Sequence, residues 1–235
     1  SQPKRSNGHF KWVDFVKRFW HKDCVAGVSL AAFSDVYRKW CAKSSYRFSQ
    51  SDAEKLHAAA WNAVATFPKS DSTKLLIVQA VDSLNAVYDA LYILRGEMLR
   101  LASLLPEFDI VMAMQGAGEV TGPQLMAEIG DVRRFHSKKA LVAFAGIDAP
   151  PYQSGQMEVR SRSISKRGSS ALRRTLFLVM SVILQRSPTD NPVYQFMDRK
   201  RTEGKPYRVY MIASANKFLR IYYAAVKKYL DSLEA

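Results

Sequence analysis

The chain has 235 residues, of which 48% are hydrophobic and 24% are charged, and its formal net charge at pH 7 is +14. This composition excludes a wholly disordered chain, and the length fits one large domain or two small ones. No run approaches the roughly 18 uncharged apolar residues of a membrane span, and the basic first twenty residues lack a signal-peptide core. We therefore expect a soluble, cytoplasmic protein without a membrane partner.

The positive charge is concentrated in the C-terminal half of the chain. Residues 132–228 hold 20 Lys and Arg against 5 Asp and Glu, whereas residues 1–131 hold 15 against 14. Such asymmetry predicts a polyanionic partner for the C-terminal half, and nucleic acid is the commonest polyanion. Cys24 and Cys41 form no CxxC motif and the histidines are unpaired in sequence, so we expect reduced thiols and no metal site.

Residues 1–71 predict an N-terminal helical segment. Two helices within residues 9–48 carry aromatic side chains at helical spacing, the second after a Ser29 cap. A third helix is predicted to start at Ser51, where the spacing fits a capping box, and to run to Pro68. Aromatic residues beside cations can stack on bases, but we favour the alternative that they pack a core.

Residues 72–106 form the longest periodic segment of the sequence. One apolar position recurs every seven residues, at Ile77, Leu84, Leu91, Met98 and Leu105, and the alternate positions hold Val81, Tyr88 and Ala102. A helix of this length, rising about 1.5 Å per residue, needs a partner helix to cover its seam. Either an intramolecular helical hairpin or a coiled-coil dimerisation arm would do so, and we favour the dimer, and hence a homo-oligomer.

Residues 107–235 predict a C-terminal domain that opens with a helix-hairpin-helix pattern. A short apolar helix leads into the turn Gly116-Ala117-Gly118, and a second helix starts at Pro123, a residue that favours the first helical turn. The glycines would let backbone N–H groups approach a phosphate, which makes Gly116 and Gly118 candidate nucleic-acid contacts. A purely structural turn is the alternative.

Further helices are predicted after the cap Ser137, from Gly168-Ser169, after the loop that ends at Pro192, and from Tyr207 onward. Loose alternation in residues 157–165 leaves room for one short β-hairpin. The predicted fold class is mainly α, a helical bundle with a long coiled-coil helix and a C-terminal domain that contains the helix-hairpin-helix.

Residues 150–174 join a Ser-Gly turn, Ser154-Gly155, to a basic cluster without acids. The candidate phosphate-binding residues are Arg160, Arg162, Lys166, Arg167, Arg173 and Arg174, together with a second basic run, Arg199, Lys200 and Arg201. Because a solvated protein face normally mixes both signs of charge, a phosphate partner is the simplest explanation. The turn alone does not make Ser154 a nucleophile, since Ser and Gly are ordinary turn residues.

Several motifs follow one another in a fixed order between residues 109 and 225. They are QGAG at 115–118, AEIGD at 127–131, Arg134-Phe135, AFAG at 143–146, YQSG at 152–155, ISKRG at 164–168 and LRR at 172–174. Together they resemble the C-terminal domain of the insertion-sequence transposases of the IS one-ten type, a family that also places a coiled-coil arm before this domain. The sequence departs from the family pattern at Gln115, where the family has proline, and at Asn216, a position that is often arginine.

The resemblance implies a site-specific DNA recombinase, guided by a structured RNA and associated with the bacterial nucleoid. Ser154 occupies the Ser-Gly position of the family, which implies a nucleophilic serine that forms a phosphoserine-DNA intermediate. The family also has an RNase-H-like domain with an Asp-Glu-Asp-Asp site, for which we find no counterpart here. We therefore expect that domain and its Mg²⁺ to be missing from this chain, which begins Ser1-Gln2 without methionine. The fragment alone should be inactive and hold no cofactor.

Two other functions are left open by the residues themselves. A helix-hairpin-helix module that binds DNA or RNA without a covalent step would tolerate Ser154→Ala, whereas a recombinase would not. A structural dimerisation protein would bind little nucleic acid even at low salt.

Overall fold

The computed structural model describes residues 10–148, 153–154, 157–158 and 163–234, with the backbone alone for the four residues at 153–154 and 157–158. These described residues form ten α-helices and one two-stranded β-hairpin, which confirms the predicted mainly α fold class. The chain divides into two compact units, Ser1–Leu94 and Arg95–Ala235, each with a hydrophobic core of its own.

The N-terminal unit is built from helices around an aromatic core. Its helices are α1 (Lys11–Arg18), α2 (Leu30–Lys43), α3 (Gln50–Asn62) and the first part of α4 (Asp71–Ala102). The Phe33 ring lies 5.5 Å from that of Phe19 and stacks on Tyr37 at 5.7 Å. The aromatic stripes of α1 and α2 therefore pack a core, as favoured from the sequence, although Trp12 remains 49% exposed.

Serine side chains begin α2 and α3, but the predicted start of α3 was wrong. Ser29 caps α2 as expected, whereas α3 is capped by Ser49, whose Oγ accepts from the Asp52 N–H at 3.2 Å. Ser49 has the same capping spacing to Asp52 that Ser51 has to Glu54, two residues earlier in the chain. Glu54 instead accepts a hydrogen bond from the Gln50 amide at 3.3 Å. The helix also ends at Asn62, well before the predicted stop.

Helix α4 packs one face against α1 within the N-terminal unit. The Asn85 amide donates to the Asp14 carboxylate at 3.4 Å, and Lys17 forms an ion pair with Asp82. The helix continues to Ala102, three residues short of the last predicted position of the seam. The polar contacts of α4 with α1 fix which of its faces remains open to solvent.

The C-terminal unit contains the remaining helices and the hairpin. They are α5 (Phe108–Met112), α6 (Thr121–Ile129), α7 (Lys138–Phe144), β1 (Gln153–Ser154), β2 (Met157–Glu158), α8 (Ser170–Arg186), α9 (Pro192–Thr202) and α10 (Tyr207–Leu233). The two strands are antiparallel, with Gln153 opposite Glu158 and Ser154 opposite Met157.

Helix α8 contributes a buried face to the core of this unit. It packs against α6, α9 and α10, and α10 also packs against α7 and α9. Leu172, Leu176, Met180 and Ile183 recur at helical spacing on α8 and are almost completely buried. The opposite face of α8 is left for other contacts, and it carries part of the candidate site.

The predicted start of α6 at Pro123 was wrong by two residues. The helix begins at Thr121, whose Oγ1 accepts from the Gly118 N–H at 2.9 Å and donates to the Gly116 carbonyl at 3.1 Å. Proline is tolerated inside the first turn as well as at its start, because the N–H groups of that turn have no intrahelical partner.

Candidate nucleic-acid interface

A large groove opens in the C-terminal unit between α8, α9, α10 and the segment at 163–170. Its cavity volume is about 1150 Å³. Seven basic side chains line it: Lys166, Arg173, Arg174, Arg199, Arg208, Lys217 and Arg220. No acidic side chain lines it in the part of the chain that the structure describes.

The charge of this basic groove is largely uncompensated. Arg199 lies 3.9 Å from Glu203, while the described residues offer no ion-pair partner to the other six cations. Like charges held close together in one concave surface repel one another and raise the local concentration of anions. A groove of this kind suits a polyanion with several phosphates better than a single small anion.

The helical period of two helices aims these side chains into the groove. On α8, residues Ser170, Arg173, Arg174 and Phe177 follow the i, i+3, i+4, i+7 spacing of one helix face. On α10, Arg208, Ile212, Asn216 and Arg220 recur every four residues. The apolar faces of the same helices fill the core, and basic side chains from both helices line the same groove.

A tight backbone crossing anchors the wall of the groove. Gly146 has φ 65° and ends α7, and a Cβ at this position would lie 2.8 Å from the Gly168 nitrogen. Hydrogen bonds run across the crossing, from the Ser169 N–H to the Phe144 carbonyl at 2.7 Å and from the Lys166 N–H to the Gly146 carbonyl at 3.0 Å. The AFAG and ISKRG motifs thus meet, and glycine is required where their backbones touch.

The same crossing joins the two ends of the segment that carries Ser154. The Ser165 N–H donates to the Asp148 carbonyl at 2.9 Å, and the Ser165 hydroxyl donates to the Asp148 carboxylate at 2.5 Å. The residues that flank this segment, Asp148 and Ser165, therefore lie next to each other at one point of the fold. That point lies at the groove, since Ile147, Ser163 and Lys166 line it.

Lys166 has an unusual backbone conformation, and Arg173 is held by a hydrogen bond to the backbone. Lys166 has φ 56°, a left-handed conformation that costs a non-glycine residue about 1 kcal/mol or more. Arg173 donates from Nη1 to the Ala145 carbonyl at 3.0 Å. This bond offsets the unfavourable position of a cation near the positive end of the α8 dipole.

The groove brings together part of the basic set predicted from the sequence. Lys166, Arg173, Arg174 and Arg199 line it. Lys200 instead pairs with Glu203 at 2.7 Å, and Arg201 pairs with Asp198 at 2.7 Å, while Arg167 is exposed outside the lining. Arg160 and Arg162 lie outside the described residues, and the structure gives only the backbone of Ser154.

Sequence reasoning missed the contribution of α10. Arg208, Lys217 and Arg220, which line the groove from α10, are absent from the set predicted from the sequence. A helical wheel places Lys217 and Arg220 away from the side of the buried Met211, Ala215 and Leu219, whereas Arg208, in the first turn, falls on the same side as Ala215. That signal was available, but nothing in the sequence shows that this face meets the face of α8.

The two candidate glycines of the predicted hairpin have local packing roles. Gly116 is buried with φ 87°, and a Cβ there would lie 2.8 Å from Val179 Cγ1 on α8. Gly118 has open space around its Cα, but its N–H already donates to Thr121. Nucleic-acid contact by these glycines stays a prediction.

Neither a metal centre nor a membrane segment is found among the described residues. They contain no group of three or more His, Cys, Asp or Glu side chains that could hold a metal ion. None of their helices is long and apolar enough to cross a membrane. The described residues therefore offer no set of ligands for the divalent metal that the resemblance implies for the acidic domain.

A basic groove on a helical core, next to the segment that carries Ser154, is typical of a protein surface that binds a polyanion such as nucleic acid. Residues 108–195 match the family model described as Transposase IS116/IS110/IS902 family. Residues 108–195 are therefore similar to the transposase domain of this family, which confirms the resemblance read from the motifs.

Curated relatives agree with this assignment. The chain is 29% identical over 152 residues to a pilin gene-inverting protein of Moraxella bovis, covering 63% of this chain and 46% of that protein. A transposase for insertion sequence element IS1111A of Coxiella burnetii is 34% identical over 80 residues, covering 34% of this chain and 22% of that protein. An insertion element IS900 protein of Mycobacterium paratuberculosis is 29% identical over 120 residues, covering 51% of this chain and 29% of that protein. The chain thus spans less than half the length of these relatives.

Proposed function

We propose that this chain is the serine-bearing part of a DNA transposase or site-specific recombinase. One observation carries the proposal: the acid-free groove with seven cations lies where the Ser154 segment joins a transposase-family domain. The groove would hold the phosphate backbone of the nucleic acid, and the hairpin would present the nucleophile to a phosphate beside it.

The proposed chemistry is a transesterification at phosphorus. The Ser154 hydroxyl attacks the scissile phosphate, an Oγ–P bond forms, and the P–O bond to one deoxyribose breaks. The proton leaves Oγ and a proton reaches the departing sugar oxygen, so the step consumes no other reactant. Lys166 and neighbouring cations, with Arg160, Arg162 and Arg167 as further candidates, would neutralise the charge that develops on the phosphate.

The anchoring of the hairpin supports this role for its serine. A nucleophile must be held within a few tenths of an ångström of a productive position, and a long unanchored loop would not do this. The bonds between Asp148 and Ser165 close the loop at its base, and the crossing of Gly146 with Gly168 fixes that base to α7.

The partners of the whole protein belong to the same proposal. The resemblance implies a structured guide RNA as well as DNA, and an acidic RNase-H-like domain that binds Mg²⁺. We infer that this domain is supplied by sequence beyond the 235 residues, consistent with relatives more than twice as long as the aligned segment. No step of the mechanism is assigned to a metal held by this chain.

Self-association through α4 completes the proposal. In the single chain the predicted seam is partly used, because Val81 and Ala102 are buried. Leu84 and Leu91 stay 36% and 39% exposed, and Leu76 and Ile93 near them are about 70% exposed. Exposed apolar side chains at this density on one helix are typical of an interface, and a second copy of α4 is the proposed partner.

A binding module without covalent chemistry is the alternative function. The turn at Gly116 and Thr121, which two hydrogen bonds hold at the start of α6, favours this alternative because it would give the module a second contact surface for nucleic acid. Both functions predict salt-sensitive binding, and they differ at Ser154.

Covalent trapping tests the proposal directly. The chain would be combined with the acidic domain, Mg²⁺, guide RNA and a labelled suicide DNA, and the products resolved on a denaturing gel. We expect a protein-linked DNA band with wild type and none with Ser154→Ala, while Ser232→Ala, at an exposed serine outside the groove lining, serves as the matched control. If wild type binds the DNA in a parallel shift assay yet forms no adduct, the nucleophile assignment fails and the binding module replaces it.

A further inference from the structure

The basic groove has an apolar floor, which phosphate binding by itself does not require. Ile147, Ile164, Phe177, Phe196 and Ile212 all line it between the cations. Both phenylalanines are only partly buried, so ring surface faces the cavity. Apolar surface left in water costs roughly 25 cal/mol per Å², and a groove built for phosphates alone would gain nothing from it.

Phe196 is the centre of this floor. Lys217 Nζ lies 5.1 Å from its ring centroid, Arg199 Cζ lies 5.3 Å away and Lys200 Nζ lies 5.8 Å away. Arg199 and Lys217 also line the groove, so two candidate phosphate-binding groups lie next to an aromatic surface, whereas Lys200 pairs with Glu203 outside the lining. Proteins that bind single strands combine the same two features, aromatic platforms for bases and cations for the backbone.

Asn216 adds a polar group of a different kind. It lines the groove from α10 between Ile212 and Arg220, and it carries no charge. An amide has both donors and an acceptor, and its geometry matches the edge of a base, adenine above all. An uncharged amide binds a phosphate less well than an arginine or lysine does. Asn216 is therefore better suited to a base edge than to a phosphate.

We propose that the basic groove seats unpaired nucleotides, with bases against Phe196 and Phe177, a base edge at Asn216, and phosphates at Arg174, Arg208 and Arg220. This inference rests on the proposed nucleic-acid function and specifies its substrate. In a duplex the bases are stacked and paired, so they cannot reach an apolar floor, whereas unpaired bases can. The cavity of about 1150 Å³ exceeds the roughly 300–1,000 Å³ of small-molecule sites and has room for more than one nucleotide.

Unpaired DNA at a recombining strand and unpaired RNA in a guide share this chemistry. Fluorescence anisotropy with the full chain would therefore use three labelled probes of one mixed sequence, a 12-nucleotide DNA strand, the same RNA strand and the DNA duplex. Phe196→Ala removes the platform and Phe196→Leu keeps an apolar side chain of smaller area. Phe67→Ala, at an exposed phenylalanine of the N-terminal unit, is the matched control.

We expect Phe196→Ala to weaken single-strand binding about tenfold and duplex binding less than twofold, with Phe196→Leu in between and Phe67→Ala unchanged. Circular dichroism melting of each variant separates this loss from misfolding, and the leucine variant keeps the test valid if alanine unfolds the unit. Asn216→Leu should remove any preference between dA12 and dT12 strands. Whichever single strand loses more affinity, DNA or RNA, identifies the source of the nucleotide.

Other outcomes overturn the inference and separate it from the proposed function. Equal losses on single strand and duplex would show that Phe196 supports the fold or the phosphates only. If Arg174→Gln with Arg208→Gln weakens every probe while the folded Phe196 variants bind normally, nucleic-acid binding stands and base seating fails. If neither the arginine variants nor the Phe196 variants alter the binding of any probe, both the inference and the proposed interface are wrong.

Discussion

Gly146 and Gly168 meet backbone to backbone, with the site of a Cβ on Gly146 only 2.8 Å from the nitrogen of Gly168. The two residues are far apart in sequence, and they lie on either side of the segment that carries Ser154. Their contact joins the end of α7 to the start of α8 and so positions Lys166 and Arg173 at the groove. The close contact between these two glycines thereby determines where the cationic side chains of Lys166 and Arg173 lie.

Gly168→Ala should destabilise the C-terminal unit. A Cβ at Gly168 would collide with the Phe144 carbonyl, and backbone atoms cannot move aside as a flexible side chain can. Overpacking of this kind costs about 1–3 kcal/mol. Far-UV circular dichroism during urea unfolding measures the loss, and tryptophan fluorescence is an internal reference, since Trp12, Trp20, Trp40 and Trp61 all belong to the N-terminal unit.

Gly118→Ala is the matched control for that experiment. Nothing lies within 4 Å of a Cβ at Gly118, so the free energy of unfolding should change by less than about 0.5 kcal/mol. Equal effects of the two substitutions would show that the crossing at Gly168 is not the tight contact described above.

Replacing Arg174 and Arg208 with glutamine should reduce the salt dependence of nucleic-acid binding. Each cation that contacts a phosphate of duplex DNA contributes about 0.9 to the slope of log K against log salt. Each substitution should therefore lower the slope by up to about 0.9, as measured by anisotropy at several salt concentrations. Lys227→Gln is the control, because Lys227 lies on α10 outside the groove lining and pairs with Asp231 at 3.0 Å. An unchanged slope for the double variant would remove these arginines from the interface.

The sequence predicted the helices of the C-terminal unit better than it predicted the site. Caps such as Ser137 and Ser169 act within one helical turn, so their spacing is sufficient to place a helix start. The groove depends on which faces of α8 and α10 meet, and this is decided by tertiary packing. Arg208 and Arg220 therefore escaped prediction, while Lys200 and Arg201 were included because they are near other cations in sequence only.

Ser49 illustrates why local signals can also mislead. Ser49 and Ser51 lie two residues apart, and each precedes an acidic residue by three positions. The sequence therefore offers two nearly equivalent caps for α3. Packing of α3 against α2 settles the choice, since Ala53 must reach the aromatic core. No rule that reads only adjacent residues contains that information.

Acid should weaken the C-terminal unit through Asp131. Hydrogen bonds from the Arg133 side chain and then from its N–H hold the pKa of the Asp131 carboxyl below its usual value. Because the folded state lowers this pKa, its stabilisation is complete above the unfolded pKa of about 3.9 and is lost as the pH falls through the folded value. Asp131→Asn should therefore make the free energy of unfolding depend less on pH below about 4. The exposed Asp190, changed to Asn, is the control, and urea unfolding between pH 7 and pH 2.5 measures both; identical profiles would exclude the contribution.

Charge on the open face of α4 should abolish self-association. Leu84→Glu with Leu91→Glu places two carboxylates on the seam, where a second copy of the helix would have to desolvate them. Sedimentation equilibrium should show an oligomer for the wild type and a monomer for the variant. Because both leucines are more than a third exposed in the single chain, the variant should keep its helical content. Ser83→Glu, an exposed α4 residue adjacent to Leu84 and outside the predicted seam, is the control and should associate like the wild type. A wild-type monomer at all concentrations would contradict the proposal that α4 pairs with its own copy.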